Sequence, residues 1–239
     1  MKKILKGFAL SVSMLTTLPF FKVHDFFKDI NGYAVMFFPL VGLILGFILL
    51  GVNYILEPFV ASTHLNIIIF SLLVLLSGAL HLDGFADTVD GLYVKKENAL
   101  EVMSDPHIGA MGMIITAVFL ILKASTFIHL ESFYLLPFIL MLSRFNAVLA
   151  IYFFPYIGGG MAKLAKDEFS KTQLIFAAVF TILFSMLFSW ELVLISLLTL
   201  FIISKFFVKR YGGLSGDIYG FIIELTELIL LNAVIFGLA

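Results

Sequence analysis

Seven apolar stretches dominate this chain, at 33–56, 65–80, 108–128, 133–154, 174–190, 191–207 and 218–238. Each is close to the roughly 20 residues that a helix needs to cross a bilayer. Strands are no alternative: an open sheet leaves backbone groups unpaired in lipid, and the runs lack the alternation of a barrel. The sequence therefore predicts an all-α, polytopic integral membrane bundle of about seven transmembrane helices. Composition agrees, with 62% hydrophobic and 13% charged residues against about 45–50% and about 25% in a soluble domain. No stretch is long and polar enough for a soluble domain on a single anchor. Ser189-Trp190-Glu191 separate the fifth and sixth runs, which form a tight hairpin or one long bent helix.

The basic residues test this layout independently. With the N-terminus inside, Lys2, Lys3, Lys6, Lys22, Lys28, Lys95, Lys96, Lys163, Lys166, Lys171, Lys205, Lys209 and Arg210 fall on one side. The remaining two, Lys123 and Arg144, lie within spans, and the opposite side holds Glu57, His64, His129, Glu131 and Glu191. Lys/Arg bias orients short loops toward the cytoplasm, so the N-terminus is expected there and the C-terminus outside. Met1-Lys2-Lys3 and the apolar run 8–21 look like a signal peptide, but no small-x-small cleavage site follows. That run is short for a span, and an interfacial or half-inserted helix over about 7–21 is expected. No linker or repeat divides residues 1–239, which read as one domain. A net charge of −1 gives no reason to expect nucleic acid, and the absence of cysteine excludes disulfides, thiolate metal sites and cysteine nucleophiles. The long polar loops, 81–107 and 155–172, both lie on the expected cytoplasmic face, so the chemistry is expected there.

Three polar strings, with motif regions at 81–112 and 210–227, carry the candidate chemistry. His81-Leu82-Asp83-Gly84-Phe85-Ala86-Asp87-Thr88-Val89-Asp90-Gly91 continues the second span and sets Asp83, Asp87 and Asp90 on one helical face. Carboxylates so spaced repel unless a cation joins them, and oxygen ligands without cysteine suit Mg²⁺, Mn²⁺ or Ca²⁺. The competing reading is a solvated helix end. Gly84, Ala86 and Gly91 leave room for a polyanion or a neighbouring helix. In the second string, 103–112, Asp105-Pro106 reads as a helix N-cap with proline following. Asp105 could instead add a metal ligand, and Gly109 and Gly112 at the helix N-terminus could receive phosphate. His107 reads as structural or as part of that chemistry.

The third string, Gly212-Gly213-Leu214-Ser215-Gly216-Asp217-Ile218-Tyr219-Gly220, runs into a span carrying Glu224 and Glu227. Gly213, Ser215 and Gly216 suit phosphate binding, and Asp217 suits a helix cap or a metal. Asp217, Glu224 and Glu227 form a second acidic face. Two glutamates inside an apolar span must face a polar interior, be protonated, or pair with a cation such as Arg144 or Lys123. Arg144 has two open readings, gripping a substrate phosphate or neutralising those glutamates. Lys123 reads as a counter-ion.

Together these strings resemble the cobalamin synthase family, the adenosylcobinamide-GDP ribazoletransferases. The resemblance rests on SGALHLDGFADTVDGL (77–92), MSDPHIGAMG (103–112), LSRF (142–145) and GGLSGDIYGFIIELTE (212–227), with 15–19 a weaker match. It implies an integral membrane, Mg²⁺-dependent transferase late in vitamin B12 synthesis. Its substrates would be adenosylcobinamide-GDP and α-ribazole or its 5′-phosphate, with GMP released. It further implies Asp83, Asp87, Asp90 and Asp105 around one or two metal ions at the diphosphate. A carboxylate or His81 would take the proton from the attacking hydroxyl in a direct in-line displacement. The family often has cations where Thr17, His107 and Ile157-Gly158 stand, and Lys163 or Lys166 could substitute for phosphate recognition. An assembly with other corrinoid-pathway enzymes would explain the membrane setting. Two readings from other classes are a CDP-alcohol phosphotransferase and a corrinoid or ion transporter using the buried glutamates.

Overall fold

The computed structural model describes residues 2–19, 27–185 and 188–238. Lys22 and the expected end of the first helix at 20–21 lie outside the described residues. In chain order the helices are α1 (Lys2–Leu15), α2 (Ile30–Met36), α3 (Phe38–Leu56), α4 (Ser62–Leu76), α5 (Leu80–Leu92) and α6 (Ala99–Met103). They continue as α7 (Ala110–Ile128), α8 (Leu136–Phe153), α9 (Gly160–Glu168), α10 (Lys171–Ser185), α11 (Trp190–Tyr211) and α12 (Gly216–Ile235). Among the described residues no strand forms, and one isolated bridge joins Tyr156 to Leu214. Five helices, α3, α7, α8, α11 and α12, are long and apolar enough to cross a membrane. The bent pairs α4–α5 and α9–α10 raise the number of crossings to as many as seven. The protein is a polytopic membrane helical bundle.

The spans differ from the sequence expectation at their breaks, each with a local cause. The first run divides at Phe37, because Pro39 occupies the first turn of α3 and cannot donate into a continuous helix. The second run does not lead straight into the acidic string. Gly78 and Ala79 take left-handed conformations (φ 65° and 54°), and α5 leaves α4 at 80°. The segment 81–92 is helix, as the one-face spacing of Asp83, Asp87 and Asp90 requires, but it is a separate helix and not a straight continuation of the second span. The first helix forms earlier than expected, at Lys2–Leu15 rather than about 7–21. It closes where the Thr16 hydroxyl donates back to the Val12 carbonyl (2.8 Å) and the Thr17 N–H turns to the Leu76 carbonyl (2.8 Å). The fifth and sixth runs are two helices, with Ser189 capping α11 by accepting from the Leu192 N–H. Helix α11 carries Lys209 and Arg210 in its last turn, where their charge complements the helix dipole.

Helices α8 and α12 form the centre, 83% and 67% buried, and α3, α5, α10 and α11 pack around them. Helices α7 and α11 turn apolar faces outward, including Ile114, Val118, Ile121, Leu198, Phe201 and Ile202. Such faces are costless against acyl chains and would be costly in water. Buried polar side chains tie the bundle where lipid offers no partner. Asn66 donates to the carbonyls of Phe127 (3.0 Å) and Leu130 (3.1 Å), closing the end of α7. Asn146 joins α8 to the Ser196 carbonyl (2.9 Å) and the Thr226 hydroxyl (3.0 Å). Such bonds stabilise membrane bundles by about 1 kcal/mol each.

Candidate active site

Two glycines decide where the acidic residues meet. A Cβ on Gly84 of α5 would stand 2.9 Å from the Asp217 carbonyl oxygen, and one on Gly220 of α12 would stand 2.9 Å from that of His81. With no side chain between them the helices cross backbone to backbone, which sets Asp217 beside Asp83 and Asp87. Asp83 is exposed, and Asp87 and Asp217 are half-buried. The charges of Asp83, Asp217 and Asp90, in that order, act on Asp87, and Asp83 acts on Asp217. Among the described residues no lysine or arginine pairs with Asp83, Asp87 or Asp217. Their mutual repulsion is left uncompensated.

Two cavities meet at this seam. One, of about 280 Å³, is mostly apolar and lies between α5, α8, α9 and α12; the other, of about 230 Å³, is more polar and lined by Tyr156, Gly158, Gly159 and Ser215. Met161, Ala162, Gly216 and Asp217 line both. The floor of the second cavity is fixed by two interlocked loops. The Leu214 N–H donates to the Pro155 carbonyl and the Ile157 N–H to the Leu214 carbonyl, each at 2.8 Å. Ser215 is the N-cap of α12, accepting from the Ile218 N–H and donating to Asp217 Oδ2, both at 3.3 Å. Tyr156 donates to the Gly159 carbonyl (2.9 Å), and burial, reinforced by the Asp217 charge, pushes its pKa above the ordinary phenol value. It remains an O–H donor at neutral pH.

Residues 7–235 match the sequence model of the family described as cobalamin-5-phosphate synthase. The chain belongs to the cobalamin-5-phosphate synthase family. Proteins named adenosylcobinamide-GDP ribazoletransferase are similar over nearly its whole length. That of Desulforamulus reducens is 33% identical, covering 95% of each chain, and that of Acinetobacter baumannii strain ACICU is 33% identical, covering 94% of each. The Thermosynechococcus vestitus protein is 35% identical over 86% of this chain and 87% of its own. No solved structure matches.

In this member of the cobalamin-5-phosphate synthase family the four aspartates expected around metal do not share one environment. Asp90 is buried, and its oxygens accept from the Gly109 and Gly112 N–H groups at 2.7 Å each. Those amides open α7, so the helix N-terminus expected to receive phosphate already holds a carboxylate, and Gly109 is not free for that role. Asp105 does not cap α7, which starts at Ala110 after Gly109. It closes its own turn instead, accepting from the His107 N–H (2.9 Å) and contacting the His107 ring (2.7 Å). The amide bond above all, then the ring, holds the Asp105 pKa below the ordinary carboxylate value.

The inner acidic pair is also accounted for. Lys123 of α7 donates to Glu224 and Glu227, 2.6 Å to each, and Arg144 of α8 pairs with Glu227 and with the Ser143 hydroxyl. The structure therefore places Arg144 against the glutamate rather than at either cavity, and separates Glu224 and Glu227 from Asp217. Lys163 is exposed and pairs with Asp167 at 2.7 Å. Lys166 donates to the carbonyls of Ile151, Tyr152 and Phe154 and so closes the end of α8. Gly84 serves the helix crossing, Gly213 is buried under the Pro155 carbonyl, and Gly216 stands between the cavities. His81 lines the apolar cavity with both ring nitrogens unpartnered. Tyr219 beside it was given no role from sequence; its place two residues beyond Asp217 in the glycine-rich string was the available signal.

Among the described residues no group of three acidic or imidazole side chains converges as a ready-made metal cage. The donor chemistry still fits Mg²⁺ or Mn²⁺: the seam offers hard oxygens, mutually repelling and without a counter-ion. Mg²⁺ is commonly held by one or two carboxylates together with substrate phosphates and waters.

Proposed function

We propose that this protein joins adenosylcobinamide-GDP to α-ribazole, or to α-ribazole 5′-phosphate, releasing GMP at the last stage of cobalamin synthesis. The observation that carries the reading is the Gly84–Gly220 crossing. It sets Asp83 and Asp217, with Asp87 one turn further along α5 and no cation paired with any of them among the described residues, where two cavities of unlike character adjoin, an arrangement suited to bringing two substrates together over a diphosphate.

Asp83 and Asp87, with Asp217 facing them, would hold Mg²⁺ or Mn²⁺. When bound, the ion neutralises charge developing on the diphosphate and on the departing GMP. The polar cavity holds the diphosphate, with the backbone N–H groups at the start of α12 as donors. A seam carboxylate takes the proton of the attacking ribazole hydroxyl, which displaces GMP in line with inversion at phosphorus. The site faces the cytoplasm and the N-terminus lies there too. The support is charge: Lys95, Lys96, Lys209 and Arg210 gather at the end of the bundle where Arg210 donates to the Leu92 carbonyl (3.0 Å) and Tyr211 to that of Gly91 (2.8 Å).

The test is GMP release by detergent-purified protein given both substrates and Mg²⁺. Release that requires both substrates and metal, and that falls by several orders of magnitude in Asp83→Asn, is expected. No release from folded protein overturns the proposal, and release with overall retention at phosphorus overturns the in-line step.

A further inference from the structure

Two residues that line the apolar cavity carry polar atoms that no group among the described residues satisfies. His81 is 4% exposed and both its ring nitrogens lack a hydrogen-bond partner; Tyr219 is 6% exposed and its hydroxyl lacks one too. Both residues line the same space, whose walls are otherwise apolar, with Leu15, Phe38, Ile151 and Ile223 among them. An unmade buried hydrogen bond costs about 1–3 kcal/mol. Two orphans in one cavity that opens on the catalytic carboxylates indicate a ligand that supplies the missing partners.

From this geometry we infer that the cavity receives the aromatic base of the acceptor nucleoside, with Tyr219 and His81 as the groups that recognise it. The inference rests on the function proposed above. Size and polarity select among the parts of the two substrates. A corrin macrocycle is far too large for about 280 Å³. Guanine carries donors and acceptors along its whole edge, and two orphaned groups among apolar walls would leave most of them unpaired. A benzimidazole-type base is planar, bicyclic and apolar apart from one lone-pair ring nitrogen, which accepts from one of the two groups, while a hydroxyl of the attached sugar partners the other. Seated there, its sugar points toward Asp83 and Asp217, which line the same cavity, and so toward the seam where the hydroxyl must react.

Tyr219→Phe removes the hydroxyl and keeps the shape, and His81→Phe provides a second variant at the other group. Two readouts are made for each: the KM for either substrate in GMP release, and equilibrium binding of α-ribazole alone, followed by its intrinsic fluorescence. The expected result is a KM for α-ribazole raised about tenfold, the loss of one hydrogen bond to a bound ligand, with the KM for adenosylcobinamide-GDP held within about twofold. Binding of α-ribazole weakens by the same factor, and adenosine binds the native protein at least about tenfold more weakly than α-ribazole does. A KM shift confined to adenosylcobinamide-GDP, or α-ribazole binding that neither variant weakens, overturns the inference while leaving the transferase standing. Absence of GMP release from native protein overturns the transferase, and the binding arm still decides what the cavity takes.

Discussion

Replacing Lys123 with methionine removes one charge from the middle of the membrane bundle and little volume. Its ammonium lies 2.6 Å from both Glu224 and Glu227, and Arg144 pairs with Glu227, so two cations balance two carboxylates. All four side chains are at least nine-tenths buried. Lys123→Met leaves a net negative charge that lipid and packed helix cannot solvate. Removing one partner of a buried pair costs about 3–5 kcal/mol, which for a chain of this length lowers the thermal midpoint by about 10 °C or more. The double variant Lys123→Met/Glu224→Gln restores neutrality and leaves the Arg144–Glu227 pair whole. It should recover about half of the loss, since a buried neutral amide without its partner costs about 1–3 kcal/mol, less than an unpaired buried charge. Thermal unfolding in a mild detergent measures both. A single variant that loses less than about 1 kcal/mol, or a double variant no more stable than the single one, would refute the charge argument. The double variant also separates structure from catalysis. The cluster lies apart from Asp83 and Asp217, so GMP release below the lowered midpoint should stay within about tenfold, a barrier change of about 1.4 kcal/mol. Loss of several orders of magnitude in folded protein would instead place Glu224 at the reacting groups.

Asp90→Ala should lower stability by about 2 kcal/mol through two lost bonds at the start of α7 yet leave turnover within about tenfold; collapse of turnover in folded protein would return Asp90 to the metal site. Gly84→Ala forces its new methyl against Asp217, pushes α5 off α12 by tenths of an ångström, and should cut turnover by about 100-fold with a smaller effect on stability; turnover within about threefold of native would show that the crossing does not set the geometry. Because the Asp105 pKa lies below its unfolded value, the turn it closes is stabilised above the ordinary carboxylate range and released only as pH falls through that lowered pKa. Hydrogen-exchange protection of the His107 amide should therefore hold down to about pH 4, and loss of protection between pH 5 and 6 would disprove the assignment.

Much of the fold is legible because burial in lipid leaves a one-dimensional signature: an apolar run long enough to cross. Breaks are less legible. Pro39 announces the division between α2 and α3, but nothing local shows that Ala79 will follow Gly78 into the left-handed region and turn the chain by 80°. The site divides in the same way. Helical spacing puts Asp83, Asp87 and Asp90 on one side of α5, and the sequence treats them as equals. What separates them is the element opposite each: the opening amides of α7 meet Asp90, and the backbone of α12 lies against Gly84 next to Asp83. Those partners are 19 or more residues away in the chain, and periodicity carries no information about them. The glutamates are intermediate. Their need for cations follows from desolvation alone, and only packing shows that Lys123 bridges both while Arg144 takes one.

The neutral cluster also bears on how the seam is built. A transport pathway through Glu224 and Glu227 would need at least one carboxylate free to exchange a proton or ion with water, yet each is paired with a cation in a dry interior. Charges held this way fix the register of α7, α8 and α12 against one another, because sliding any one helix by a turn would strand a charge. Helix α12 is the element whose first turn presents Asp217 and whose Gly220 receives α5. The polar cost inside the membrane thus secures the position of the helix on which the carboxylate seam depends. The seam is the opposite case, three like charges with no paired cation among the described residues, left exposed or half-buried and better satisfied with a cation and a polyanion present. A chain whose four charges at depth neutralise one another, and whose Asp83 and Asp217 line adjoining cavities with no paired cation among the described residues, is arranged for transfer between two bound substrates, not for passage across the bilayer.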